Sequence, residues 1–257
     1  MKRSGEPDRY GTIVVVGGGC YGSYYVRQLG RAADAGAVAW EHLVVVDRDP
    51  SCAVATTPEL RAGHRDSPTA AVTVAEWRAF FDEYLGATAD GTRADRRDAI
   101  VPSPLMPHLM VHWLVARARA RWPARDVALR PLAHDPPMPW QRAGDDGTHY
   151  VSFATWMCPI NCIEPATCPH TRGPRDWSMP PALAAYVQSE RAAGEPIEPP
   201  ILFHCVHRSH GVGMFDTADV VGADRRIRDS ASHGPAEFLV GTVSHCHGAL
   251  ARLVVAG

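Results

Sequence analysis

From Ile13 to Val16 the chain is an unbroken β-branched run, the pattern of a parallel strand buried on both faces. It ends at Gly17, and Tyr24 to Arg31 continues as a helix, followed by a second buried strand from His42 to Val46 that closes on Asp47. Ser51 to Ala70 is mixed and turn-rich, which predicts a loop, and Ala71 to Val74 forms a third strand. From Glu76 to Leu85, Trp77, Phe80, Phe81, Tyr84 and Leu85 recur at spacings of three and four. That spacing predicts one apolar helical face, with the aromatic stripe in the core. Asp98 to Val101 is a fourth strand, His108 to Trp122 a helix ended by Pro123, and Val127 to Leu132 a fifth strand. Alternating strands and helices predict a doubly wound parallel sheet of the α/β class over residues 1–134.

The pattern changes after residue 134. Twelve of the twenty-two prolines fall between Asp135 and Pro200, so a smaller, loop-rich α+β region is expected over 135–257. Within it Tyr150 to Thr155, Pro200 to Val206, Glu237 to Val243 and Leu250 to Val255 read as strands, and Pro181 to Ala193 as a helix.

Chemistry enters first at the glycines. Gly17-x-Gly19-x-x-Gly22, with Cys20 and Tyr21 inside it, lies between a strand and a helix. Gly17 permits the tight bend, Gly19 lets the backbone approach a pyrophosphate, and Gly22 lets the helix pack close, its positive end facing the phosphates. A lone glycine triplet is weak evidence, but Asp47, twenty-five residues past Gly22, supplies the acid that accepts ribose hydroxyls. The plainer role for Asp47 is to cap the turn in Val-Asp-Arg-Asp-Pro. Arg48 beside it keeps a 2′-phosphate open, so NAD and NADP both remain candidates.

The order Gly17-x-Gly19-x-x-Gly22, Asp47, Asp98-Ala-Ile-Val-Pro-Ser103-Pro104-x-x-x-His108 and Leu129-Arg130-Pro131 resembles the Rossmann-like cofactor domain of the glucose-fructose oxidoreductase and inositol dehydrogenase family. The resemblance covers about the first half of the chain. It implies NAD(P), with Ser103, Pro104 and His108 beside the nicotinamide half. The family's catalytic lysine falls at Arg130 and its glutamate at Leu129, and a guanidinium cannot carry a proton at working pH. His108 therefore transfers only as a wall of the nicotinamide pocket, or as a plain helix-start histidine.

Five of the seven cysteines and seven of the thirteen histidines lie at or after Cys158. Cys158, Cys162 and Cys168 fall within eleven residues, among prolines. With Cys205 as a fourth ligand, they form a candidate site for an iron-sulfur cluster or zinc, although the spacing matches no standard ferredoxin run. Unligated or redox thiols are the third option. If one strand carries Cys205 and His207, period two places both on one face, as a ligand pair or a catalytic pair, with His210 following. His245 and His247 share a face if their strand continues.

Composition limits the classes of function. A net charge of −2, with 21% charged and 46% hydrophobic residues, gives no basic excess for nucleic acid. No apolar run is long enough for a membrane span, and the polar start MKRSGEPDRYG lacks the apolar core of a signal peptide. A cytoplasmic protein is expected, with a small-molecule substrate, no nucleic-acid or membrane partner, and a homo-oligomer left open. The leading expectation is an NAD(P)-dependent oxidoreductase with a Cys/His-bound metal or cluster. The alternatives are a non-enzymatic dinucleotide, redox or metal sensor, and an adenylating enzyme resembling the ubiquitin-activating type.

Overall fold

The computed structural model describes residues 6–89, 97–159 and 162–257. The chain is mixed α/β and divides into two compact units, one of Met1–Pro107 with Val206–Val221 and one of His108–Cys205 with Gly222–Gly257. Among the described residues no helix is long and apolar enough to cross a membrane.

The first unit opens with β1 (Asp8–Val16), α1 (Cys20–Asp34) and β2 (Val38–Asp47), then two single-turn helices, α2 (Ala53–Thr56) and α3 (Pro58–Arg61). It continues through β3 (Ala70–Val74), α4 (Trp77–Ala89) and β4 (Ala99–Val101). β3, β2, β1 and β4 lie side by side in that order, and every pair is parallel. Val14 to Val16 and Val45 to Val46 are almost wholly buried, as an unbroken β-branched run requires. α1 turns Gly22, Val26, Leu29 and Ala33 inward at helical spacing. It stops at Gly36, whose φ of +71° favours glycine and whose N–H is donated to Ala33 O. In α4, Phe81, Tyr84 and Leu85 are buried, so the aromatic stripe is core, while Trp77 stands half-buried at the helix start.

The second unit contains α5 (Leu109–Arg121), β5 (Val127–Arg130), β6 (Trp140–Ala143), β7 (His149–Ser152), α6 (Met179–Ala192) and β8 (Ile197–His204). The chain then returns to the first sheet with β9 (Val206–Ser209) and β10 (Val212–Asp216). α7 (Thr217–Ala231), β11 (Ala236–Val243) and β12 (His247–Val255) follow. The second sheet runs β6-β7-β12-β11-β8, with β5 also on β12. β8 is parallel to β11 and the other pairs are antiparallel. Its core gathers Val151, Met179, Leu183, Val187, Leu239, Val243 and Leu250.

Both sheets are therefore mixed, and two expectations change. β5, read as a fifth strand of the parallel sheet, pairs antiparallel with β12 in the second sheet. The place beside β4 is taken instead by β10, antiparallel, about a hundred residues later in the chain.

Candidate functional site

The turn from β1 into α1 uses each glycine differently. Gly17 has φ +87°, the left-handed region, and donates its N–H to Val46 O at 2.8 Å. Gly18 N–H is donated to Asp47 Oδ2 at 2.6 Å, and Gly18 O accepts from Val54 N–H. A Cβ on Gly19 would meet nothing within 4 Å, whereas one on Gly22 would lie 2.8 Å from Gly17 C and closer still to Gly17 O. Close packing thus requires Gly22, and an open approach is left at Gly19. α1 begins with Gly19 as its cap, without a side-chain cap or an acid in its first turn. Its first N–H groups lack partners within the helix and carry the positive end of the helix dipole. Cys20 is exposed and Tyr21 half-buried on the same turn.

Asp47 closes the other side. Its Oδ1 accepts Asp49 N–H at 2.9 Å while Oδ2 holds Gly18, so the carboxylate caps its own turn and is fixed against the glycine loop. A carboxylate has about four acceptor sites, so two remain for hydroxyls. Arg48 is exposed next to it. Trp77 completes this edge by donating its indole N–H to Val46 O at 3.0 Å. At the end of β4, Ser103 is buried with its Oγ accepting Leu105 N–H, and Pro104 is exposed.

His108 and Arg130 belong to the second unit. His108 caps α5 without a side-chain hydrogen bond to the helix. Burial lowers its pKa from the ordinary histidine range, the Leu250 backbone opposing and His112 adding to the fall. It is a neutral histidine within the fold at neutral pH. Arg130 pairs with Asp126 at 2.6 Å, both side chains largely exposed.

Of the expected ligand cysteines, Cys158, Cys162 and Cys168 lie between β7 and α6, and Cys205 lies just after β8. Among the described residues, no group of three or more His, Cys, Asp or Glu side chains is placed to hold a metal ion, and all seven cysteines are free thiols. Burial raises the Cys158 pKa, with Cys162 and Cys168 adding to the rise, while the Thr171 backbone lowers that of Cys168. Cys205 follows β8, its N–H donated to Val243 O. His207 lies on β9 of the first sheet, so the single strand that would set Cys205 and His207 on one face does not form. His210 and Gly211 are the positive-φ pair of the β9–β10 hairpin turn.

Spacing alone does not reveal Glu164. It is buried, with φ +50°, and its carboxylate accepts Ser244 Oγ–H at 2.6 Å, His245 N–H at 2.8 Å and Cys246 N–H at 2.9 Å. It thereby pins the β11–β12 turn. That turn interrupts the strand, so His245 and His247 do not share a face. His245 Nδ1 lies 2.8 Å from Ser178 Oγ, and His247 Nδ1 lies 3.0 Å from Ser152 Oγ. Ser178 is the N-cap residue of α6, but its side chain makes no cap hydrogen bond, since Pro180 and Pro181 offer no N–H. The His204 ring meets His245 edge-on at 4.7 Å. Burial and Arg175 lower the His245 pKa, and burial pushes the Cys246 thiol up to about 12.

Searches of curated proteins and of solved structures gave no match. A family model described as "Uncharacterized protein, C-terminal domain" matches residues 110–256, more than half of the chain, with the glycine turn outside the matched range. By that match the chain belongs to the AF_1314_C family.

Proposed function

We propose that the amino-terminal unit is a Rossmann-like, doubly wound nucleotide site that holds NAD or NADP, and that the protein is an NAD(P)-dependent oxidoreductase acting on a small molecule. One observation carries the reading: the three glycines meet three separate demands of a dinucleotide turn. Gly17 takes the left-handed bend, Gly19 leaves open space, and Gly22 accepts a backbone carbonyl where no Cβ fits. Asp47 stands fixed at the end of the adjacent strand. Together they suit a pyrophosphate at the start of α1 and a ribose on the carboxylate.

The bound dinucleotide would supply hydride transfer at its nicotinamide ring. The chain's own part is to bind and orient it: the first N–H groups of α1 would donate hydrogen bonds to the phosphates, and Asp47 would accept the ribose hydroxyls. Asp47 favours NAD, because a 2′-phosphate would bring like charge against it. Calorimetric titration with NADH and NADPH tests the reading: saturable binding, tighter for NADH and lost in Asp47→Ala, is expected.

A second reading, a dinucleotide sensor without turnover, is favoured by Arg130. In the order of the resembled family's motifs that residue falls at the proton-carrying lysine, while the structure carries it on β5 of the second sheet, paired with Asp126. Loss of reduced-nicotinamide absorbance against a panel of carbonyl compounds supports the oxidoreductase. Tight NADH binding with no turnover on any of them supports the sensor.

A further inference from the structure

Strand register gives the nucleotide a direction. β1, β2 and β3 are parallel neighbours, so their carboxyl ends lie along one edge of the sheet, and Asp47 pairs in register with Val74. Neighbouring strands are about 4.8 Å apart. A nucleotide with phosphate at the start of α1 and ribose on Asp47 has already stepped from the end of β1 to the end of β2. The covalent order phosphate, ribose, base carries the base one strand further, over the end of β3.

The chain places apolar surface there. Val74 closes β3 yet is 54% exposed, one of five large hydrophobic side chains on the surface of the described residues. Trp77 follows three residues later and is half-buried. Its single N–H donor is consumed by Val46 O, which also accepts Gly17 N–H, and its Cζ2 lies 3.7 Å from where a Cβ on Gly17 would stand. The indole is therefore held against the phosphate turn with no polar atom left to offer. What remains is a fixed aromatic ring beside an exposed β-branched side chain.

We propose that Val74 and Trp77 form the purine subsite of the dinucleotide site, Trp77 contributing aromatic contact and Val74 an apolar shelf. The proposal rests on reading Gly17–Gly22 and Asp47 as the phosphate and ribose sites, and it assigns the base to residues that no glycine-loop motif contains. Contact between a base and an aromatic ring is sequence-tolerant and substantial, so its removal weakens binding by about tenfold or more.

The full chain is titrated with NAD and with ADP, as wild type, Trp77→Ala and Trp77→Phe, with circular dichroism to check folding. The alanine variant is expected to bind both ligands about tenfold more weakly, and the phenylalanine variant within about threefold of wild type. Independently of any variant, 8-azido-ADP is photolysed on the wild-type protein, and label is expected in the tryptic peptide Asp66–Arg78. Unchanged affinity in a folded Trp77→Ala variant, or label confined to other peptides, overturns the subsite while leaving the dinucleotide site standing. A wild-type chain that binds neither NAD nor ADP overturns both.

Discussion

Substituting Gly22 and Gly19 separately by alanine divides the glycine turn into a packing half and a binding half. In Gly22→Ala the new Cβ falls 2.8 Å from Gly17 C and closer to its oxygen, so α1 or the turn must move by ~1 Å. Gly17 cannot yield easily, because its N–H is tied to Val46 O and its φ is already +87°. Overpacking against fixed backbone costs up to about 3 kcal/mol, and the gain in helix propensity returns about 1 kcal/mol. The net loss is about 2 kcal/mol, which lowers Tm by about 4–8 °C in a chain of this size. In Gly19→Ala the Cβ enters open space and φ is an ordinary −78°. A weaker helix cap and a stiffer unfolded chain roughly offset each other, so stability changes by under about 1 kcal/mol. The methyl group nevertheless stands where phosphate approaches, and NADH affinity should fall at least ~10-fold. Differential scanning calorimetry reads the first effect and titration the second. A Gly22→Ala protein as stable as wild type would refute the packing argument. A Gly19→Ala protein with full affinity would refute the phosphate argument.

Other outcomes follow from the same contacts. Glu164→Ala leaves one hydroxyl and two backbone N–H donors of the β11–β12 turn without their carboxylate; chemical denaturation should show a loss of about 3 kcal/mol or more. Asp98→Ala removes the acceptor for Thr12 N–H and Tyr84 O–H in the first core and should cost about 2–4 kcal/mol by the same assay. His108 has a folded-state pKa below its unfolded value, so the unfolded chain takes up the proton first. Its stabilising contribution is complete above the unfolded pKa of about 6.5 and is lost as pH falls from there toward the folded value. A His108→Gln variant should show a flatter stability profile below that pH, and an unchanged slope would argue against a buried neutral imidazole.

The first hundred residues were largely legible because their signals are local. A β-branched run, a glycine turn and one apolar helical stripe each occupy a short window, and β1, α1, β2, α4 and β4 follow from them. α5 spans Leu109–Arg121 where periodicity placed a helix from His108 to Trp122. The return of the chain was not legible, because β10 pairs with β4 through contacts such as Phe215 with Ile100, and no local period encodes that choice. β5 is apolar and β-branched enough for either sheet, and only its pairing with β12 decides between them. Near Cys205 the apolar pattern runs on, but the backbone changes sheets there, so period two failed at the residue where it was applied. Glu164 was missed for the same reason: its donors lie some eighty residues away, and a lone glutamate among isoleucine and proline carries no local mark. At the glycine turn, positive φ at Gly17 and close packing at Gly22 fall on residues whose type they require, whereas the cysteine spacing alone does not fix where the four thiols lie.

The central claim is a dinucleotide at Gly17–Gly22 and Asp47. Its most direct test is calorimetric titration of the full chain with NADH and NADPH, in parallel with Gly19→Ala. One-site binding of NADH by wild type, at least ~10-fold weaker in the variant, is the predicted result. No binding of either dinucleotide by wild type, or equal binding by a folded Gly19→Ala protein, would contradict the account.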